Sequence, residues 1–444
     1  MNTPICDFAK KYAQSGISRL HMPGHKGKGS LCEHLDLTEI AGADELYDAD
    51  GIIAESEKNA STLFDCKTFY STEGSSHTIR AMLYLTSIYA KEKGKKPLIL
   101  AARNAHKAFL SAVALLDIEV DWLTPKEQSS YLSLSLTGKE LDNILSGYRE
   151  KPTALYITSP DYLGGIADVR GLSDVCHKHG VLLLVDNAHG AYLHFSSESQ
   201  HPISLGADVA CDSAHKTLPV LTGGAYLHIA NRAPDIFCEQ AKSALALFGT
   251  SSPSYLILQS LDAANTYLSD SYRAELDEFI PRIDALRQKL TQKGYLLYGS
   301  ERLKLTIMPK SFGYRGDELA EILRTKQIEC EFCDPDFIVL MLTPSLSLSD
   351  LSKLENALLS IEKRDSITDA PPSFFVPQKD CSIREAILSP CEIVAVKCSL
   401  GRTLAQASVG CPPAVPIIMS GEIVDENTIK CFEYYGIESC LVIK

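Results

Sequence analysis

No stretch of this 444-residue chain approaches the roughly 18 consecutive apolar residues that a membrane-spanning helix needs. The opening MNTPICDFAKKYAQSG lacks the apolar core of a secretory signal, so a cytoplasmic protein is expected. Positive charge is short. The 43 Lys and Arg against 56 Asp and Glu leave a net charge of -13, which argues against nucleic acid and anionic membrane as partners and suits a small cationic ligand. The 14 cysteines show no framework spacing, and a chain of this length needs no staples, so reduced thiols are expected. The one CxxC, Cys330 to Cys333, has neither a second pair nor two histidines at ligand spacing nearby, so no metal is expected there. Internal repeats and low-complexity tracts are missing as well.

What is present is the composition of a globular protein, 45% hydrophobic and 22% charged, in a chain too long for one growing core. Short apolar runs at 97–101, 119–123, 154–158, 181–186, 208–211 and 224–229 read as strands buried on both faces, most with room for a helix between them. The expected fold is α/β, a doubly wound, mostly parallel sheet, whose ligands bind outside the carboxyl ends of the strands. Residues 1–50 read as an N-terminal arm and 51–255 as the large domain. Residues 256–368 read as a small α+β domain, with strands near 303–308, 328–333 and 336–342. The proline-rich DAPPSFFVP (369–377) reads as a linker into a C-terminal domain, so that 369–444 forms the last unit.

One short segment raises a chemical question. DSAHKTLPVLTGG (212–224) sets a lysine between two strand-like runs, where it is expected to be buried. An unpaired buried ammonium is disfavoured, so the free amine, a nucleophile, becomes accessible. STEGSSHTIRAML (71–83) places Gly74, Ser75 and Ser76 before an amphipathic helix, where free N–H groups and hydroxyls suit a phosphate; a serine there is also an ordinary cap. Asp186 ends a strand, as a turn residue or as the acid that holds a proton on a ring nitrogen. His106 follows another strand, as a capping or solvated histidine or as a flat ring stacked on a flat cofactor. Phosphate loop, stacking ring, acid, then Ser-Ala-His-Lys is an order that fits pyridoxal phosphate.

These segments carry a resemblance. RLHMPGHKGKG (19–29), DELYDADGII (44–53), RNAHKA (103–108), ITSPDYLGGIADV (157–169), VDNAHGAYLHF (185–195), SAHKTLPVLTGGAYLH (213–228), GTSSPSYLILQSLDAA (249–264) and PPAVPIIMSGE (412–422) resemble, in this order, the Orn/Lys/Arg decarboxylases. The resemblance implies fold type I, the aspartate aminotransferase fold of pyridoxal-phosphate enzymes, in the short form without an N-terminal wing domain. It implies Lys216 as the lysine that takes the cofactor aldehyde, Asp186 on the pyridine nitrogen and His106 stacked on the ring. His189, Ser213 and His215 are implied around the cofactor. It also implies dimers or larger homo-oligomers in which Thr250 and Ser251 reach the neighbouring protomer's phosphate. Glu73 and Gly74 depart from the threonines usual in the phosphate loop, Gly223 stands where glutamine is expected, and Asn187 where glutamate is common.

The implied activity is decarboxylation of arginine, lysine or ornithine to a polyamine-pathway amine and carbon dioxide. Asp44, Glu45 and Glu422 are candidates for holding the substrate's distal cation, and each could equally be a surface acid. The rival readings are transamination or another lyase step on the same fold, and a cofactor-binding protein without turnover.

Overall fold

The computed structural model describes residues 1–123, 130–373, 375–406 and 413–444. Phe374 of the linker and Pro412, which opens the C-terminal motif, lie outside the described residues. No helix among them is long and apolar enough to cross a membrane. The chain divides into two compact units. The first comprises residues 1–97, 141–156 and 169–275, and the second 98–140, 157–168 and 276–444.

The first unit begins with helix α1 (Pro4–Gln14) and α2 (Ile52–Phe64). Its sheet carries β1 (Lys67–Ser71), β5 (Leu182–Asp186), β6 (Val209–Asp212) and β7 (Ala225–Ile229), and β4 (Ala154–Thr158) through Tyr156. They lie in the order β1-β7-β6-β5-β4. Every residue of β5, β6 and β7 is buried, which explains why LLLVD, VACD and AYLHI lack the polar alternation of a half-exposed strand. β5 and β6 are parallel, whereas β7 runs antiparallel to both β6 and β1. The link between β6 and β7, residues 213–224, holds only a four-residue helix rather than a crossover helix. Helix α3 (Ser75–Glu92) follows β1 and buries Ile79, Met82, Leu83 and Leu85 on the sheet side of the unit.

In the second unit β2 (Leu98–Ala101) and β3 (Glu119–Trp122) pair in parallel around α4 (Lys107–Leu116). A four-stranded antiparallel sheet holds β8 (Leu296–Tyr298), β9 (Lys304–Met308), β10 (Phe332–Cys333) and β11 (Ile338–Met341), ordered β10-β11-β9-β8. The strand expected over 328–333 is thus only two residues long. A three-stranded sheet of β12 (Cys391–Ala395), β13 (Leu404–Gln406) and β14 (Ser439–Ile443) closes the chain, packed by Val396, Ile418, Val424 and Phe432.

Candidate active site

The ends of β5 and β6 bring several of the expected residues together. Asp186 is the last residue of β5 and is buried; its Oδ1 accepts the Ala188 N–H at 3.1 Å and its Oδ2 the Tyr156 hydroxyl at 3.2 Å. Burial pushes its pKa up, the nearby Lys216 charge and those two donors pull it back, and Asp212 raises it further. Lys216 sits in the short helix Ala214–Thr217 that follows β6, and its Nζ lies 3.2 Å from His189 Nε2. The lysine is half-buried, not enclosed as the flanking apolar runs suggested. An amine that an aldehyde must reach cannot be wholly walled in.

The loop expected to hold the phosphate is shaped by two glycines. Gly74 takes φ +71° as the residue before α3, and no side chain caps that helix. Its N–H donates to Gly223 O at 2.7 Å. Gly223 takes φ +99°, and a Cβ there would stand 2.7 Å from the Thr72 carbonyl oxygen, so the glycine that departs from the family pattern is the residue this backbone demands. The Ser213 hydroxyl donates to Ser75 Oγ at 2.7 Å, tying the lysine segment to the start of α3. His215 Nδ1 donates to Gly224 O at 3.0 Å. Ser76, the second residue of α3, is half-buried at the same helix start. A pyridoxal phosphate fits this set: an uncapped helix start with hydroxyls for its phosphate, a buried acid for its ring nitrogen and a reachable amine for its aldehyde.

The other departures also find their places. Glu73 is exposed, and its Oε1 accepts the Thr250 N–H at 2.7 Å, so its charge is turned toward the 249–254 loop. Thr250 and Ser251 are exposed. Asn187 Nδ2 donates to Asp212 Oδ1 at 2.6 Å. In the second unit His106 is the N-cap of α4, its Nδ1 accepting the Ala108 N–H at 3.1 Å, which is the capping role weighed for it.

Two of the three candidate acids are already spent. Asp44 accepts five backbone N–H groups, from Glu45, Asp50, Gly51, Ile53 and Ala54, and so builds the entry to α2. Glu422 takes Arg103 in a buried two-pronged pair at 2.6 and 2.8 Å. Glu45 alone of the three presents an exposed side chain. Sequence reading missed Tyr156, Arg103 and the histidines near Asp212. A histidine inside the wholly apolar run GAYLHI, His228, was the one available signal.

The chain matches the family model for the Orn/Lys/Arg decarboxylase major domain over residues 3–309. It is 30% identical to an arginine decarboxylase of Bacillus subtilis (strain 168), across 96% of this chain and 92% of the relative. Among solved structures, lysine decarboxylase A from Pseudomonas aeruginosa is similar with a TM-score of 0.82 at 16% identity, covering 99% of this chain and 80% of that one. The Francisella novicida lysine decarboxylase gives 0.79 at 16% identity, covering 100% and 81%. These likenesses carry the fold, fold type I of the pyridoxal-phosphate enzymes.

Proposed function

Because the chain belongs to the Orn/Lys/Arg decarboxylases, we propose that it is a pyridoxal-phosphate-dependent enzyme that removes the α-carboxylate of a basic amino acid, arginine first among them. The observation that carries the reading is the pairing of a reachable amine, Lys216, with a buried acid, Asp186, at neighbouring strand ends. Arginine is placed first because the relative matched along nearly the whole chain is named an arginine decarboxylase.

When bound, pyridoxal phosphate supplies the electron sink that a carbanion at Cα requires. The chain's own residues do the rest. Asp186, ionised, would hold the proton on the ring nitrogen and so keep the ring cationic. Lys216 would hold the cofactor aldehyde through Nζ, and His189 at 3.2 Å would take or return a proton at that nitrogen. The Lys216 amine would also be the group that returns a proton to the substrate Cα. Ser75, Ser76 and Ser213, with the N–H groups that open α3, hold the phosphate; His215 orients the turn beside them. His106 is assigned the stacking ring, and Thr250 and Ser251 of one protomer the neighbour's phosphate in a cytoplasmic homodimer.

The test is carbon dioxide release from arginine, lysine and ornithine by cofactor-loaded protein, with keto acid measured alongside. Carbon dioxide without keto acid is the expected outcome; keto acid without carbon dioxide makes the protein an aminotransferase.

A further inference from the structure

A buried cluster that the mechanism does not use lies beside these strand ends. Asp212, the last residue of β6, is wholly buried, as are His201 and His228. Asp212 Oδ2 lies 3.0 Å from His201 Nε2 and 3.2 Å from His228 Nε2, while its Oδ1 accepts the Asn187 amide at 2.6 Å. Three side chains with metal-binding atoms converge here, yet protons account for the arrangement. His201 Nδ1 accepts the backbone N–H of Ile203 at 3.3 Å, and His228 Nδ1 faces the Thr68 hydroxyl at 2.9 Å. Each ring therefore presents an Nε2–H to the carboxylate.

We propose that Asp212 is a positioning residue for Asp186: it anchors the end of β5 through Asn187 and lends its negative charge to Asp186's hold on the ring-nitrogen proton. This rests on the role given to Asp186 above. The anchor is direct. Asn187 follows Asp186, its side chain binds Asp212, and its own N–H donates to Cys211 O at 2.9 Å, so one residue ties the two strand ends by side chain and main chain.

The charge is real and little diluted. Burial pushes Asp212's pKa up, but His201 and His228 outweigh it and hold the carboxyl well below its usual range. Besides His228, which faces Oδ2 at 3.2 Å, the titratable groups around it are shifted toward their neutral forms. Burial raises Cys211 beside it on β6 and Tyr226 on β7, raises Cys66 before β1 to about 12, lowers His194 in the turn after β5 to about 4, and also lowers His201. Asp186, with Lys216 near it, is the neighbour whose charge matters, and Asp212 raises its proton affinity. A more basic Asp186 keeps the ring nitrogen protonated to higher pH.

The experiment compares cofactor-loaded wild type with Asp212→Asn, following the pH dependence of the bound cofactor's visible absorbance and of kcat with arginine. Histidine ring NMR and elemental analysis are run on the same samples. The expected result is an alkaline limb moved to lower pH in the variant, with wild-type His201 and His228 each carrying a proton at Nε2. A limb that does not move, in a protein whose wild type shows the band and releases carbon dioxide, overturns the positioning role and leaves the decarboxylase standing. A wild type with neither band nor carbon dioxide overturns both. One metal ion per chain, lost in Asp212→Asn, also overturns the proposal. Should that variant fail to fold, Asn187→Ala carries the test: kcat about tenfold lower at unchanged KM supports the anchor, and unchanged kcat overturns it.

Discussion

Two aspartates of the first unit, both almost wholly buried, have opposite fates. Asp44 sits before α2 with both oxygens filled by five backbone N–H groups. Asp186, at the end of β5, has one main-chain donor and one tyrosine hydroxyl. The first carboxylate has no capacity left to recognise anything; the second keeps a lone pair and a raised pKa, which is what a proton-holding group needs. Glu422 of the second unit falls with Asp44, since Arg103 takes both its oxygens. Donor count around a buried acid thus separates the acids that hold the fold from the one proposed to act.

The contrast can be broken by mutation, beginning with Lys216, the amine proposed to hold the cofactor that Asp186 would serve. Lys216→Ala should abolish the bound cofactor's visible band and lower kcat at least about 10³-fold, while the melting temperature stays near wild type; absorbance, turnover and a thermal scan check this together. Glu422→Gln should leave KM for arginine unchanged and cost about 3 kcal/mol of stability, because it strips a buried guanidinium of its counter-charge. Denaturant unfolding beside substrate titration reads both. Asp44→Ala should cost about 2 kcal/mol with kcat and KM unmoved, as the entry to α2 loses its cap. A raised KM in either variant would return that acid to the substrate site.

The smallest effect lies with Asp334 of the second unit, whose carboxyl burial lifts to about 7 against the pull of the Asp336 and Phe337 N–H groups. An acid with a folded-state pKa above its unfolded value binds its proton more tightly when folded. Its contribution is therefore full below about pH 4 and is lost as pH rises through about 7. Asp334→Asn keeps the acceptor for both N–H groups, so relative to wild type it should gain about 1 kcal/mol between pH 6 and pH 8. Paired unfolding curves at the two pH values test the sign.

Much of this was legible in the chain because burial on both faces leaves a plain mark. ALYIT is a strand as read, and LLLVD and AYLHI fall one residue inside the reading. Lys216 and Asp186 stood out because a charge at the end of such a run is anomalous. β1 was not seen, since KTFYS mixes polar and apolar residues in a strand that pairs on one side only within its unit. Partners set by register were closed to sequence. In the antiparallel pairing Asp212 faces Tyr226, which makes His228 its diagonal neighbour, a relation that exists only once β7 has reversed direction. Tyr156 reaches Asp186 across 30 residues because β4 lies beside β5 in the sheet. Gly223 looked like a lost side chain until the Thr72 carbonyl was seen to need the space.

The most direct test of the contrast is single-turnover carbon dioxide release from arginine by Asp186→Ala and Asp44→Ala at matched cofactor occupancy. The account predicts that Asp186→Ala retains cofactor and slows about 10² to 10⁴-fold, while Asp44→Ala turns over at the wild-type rate. Full turnover in Asp186→Ala, or a comparable loss in both, would contradict it.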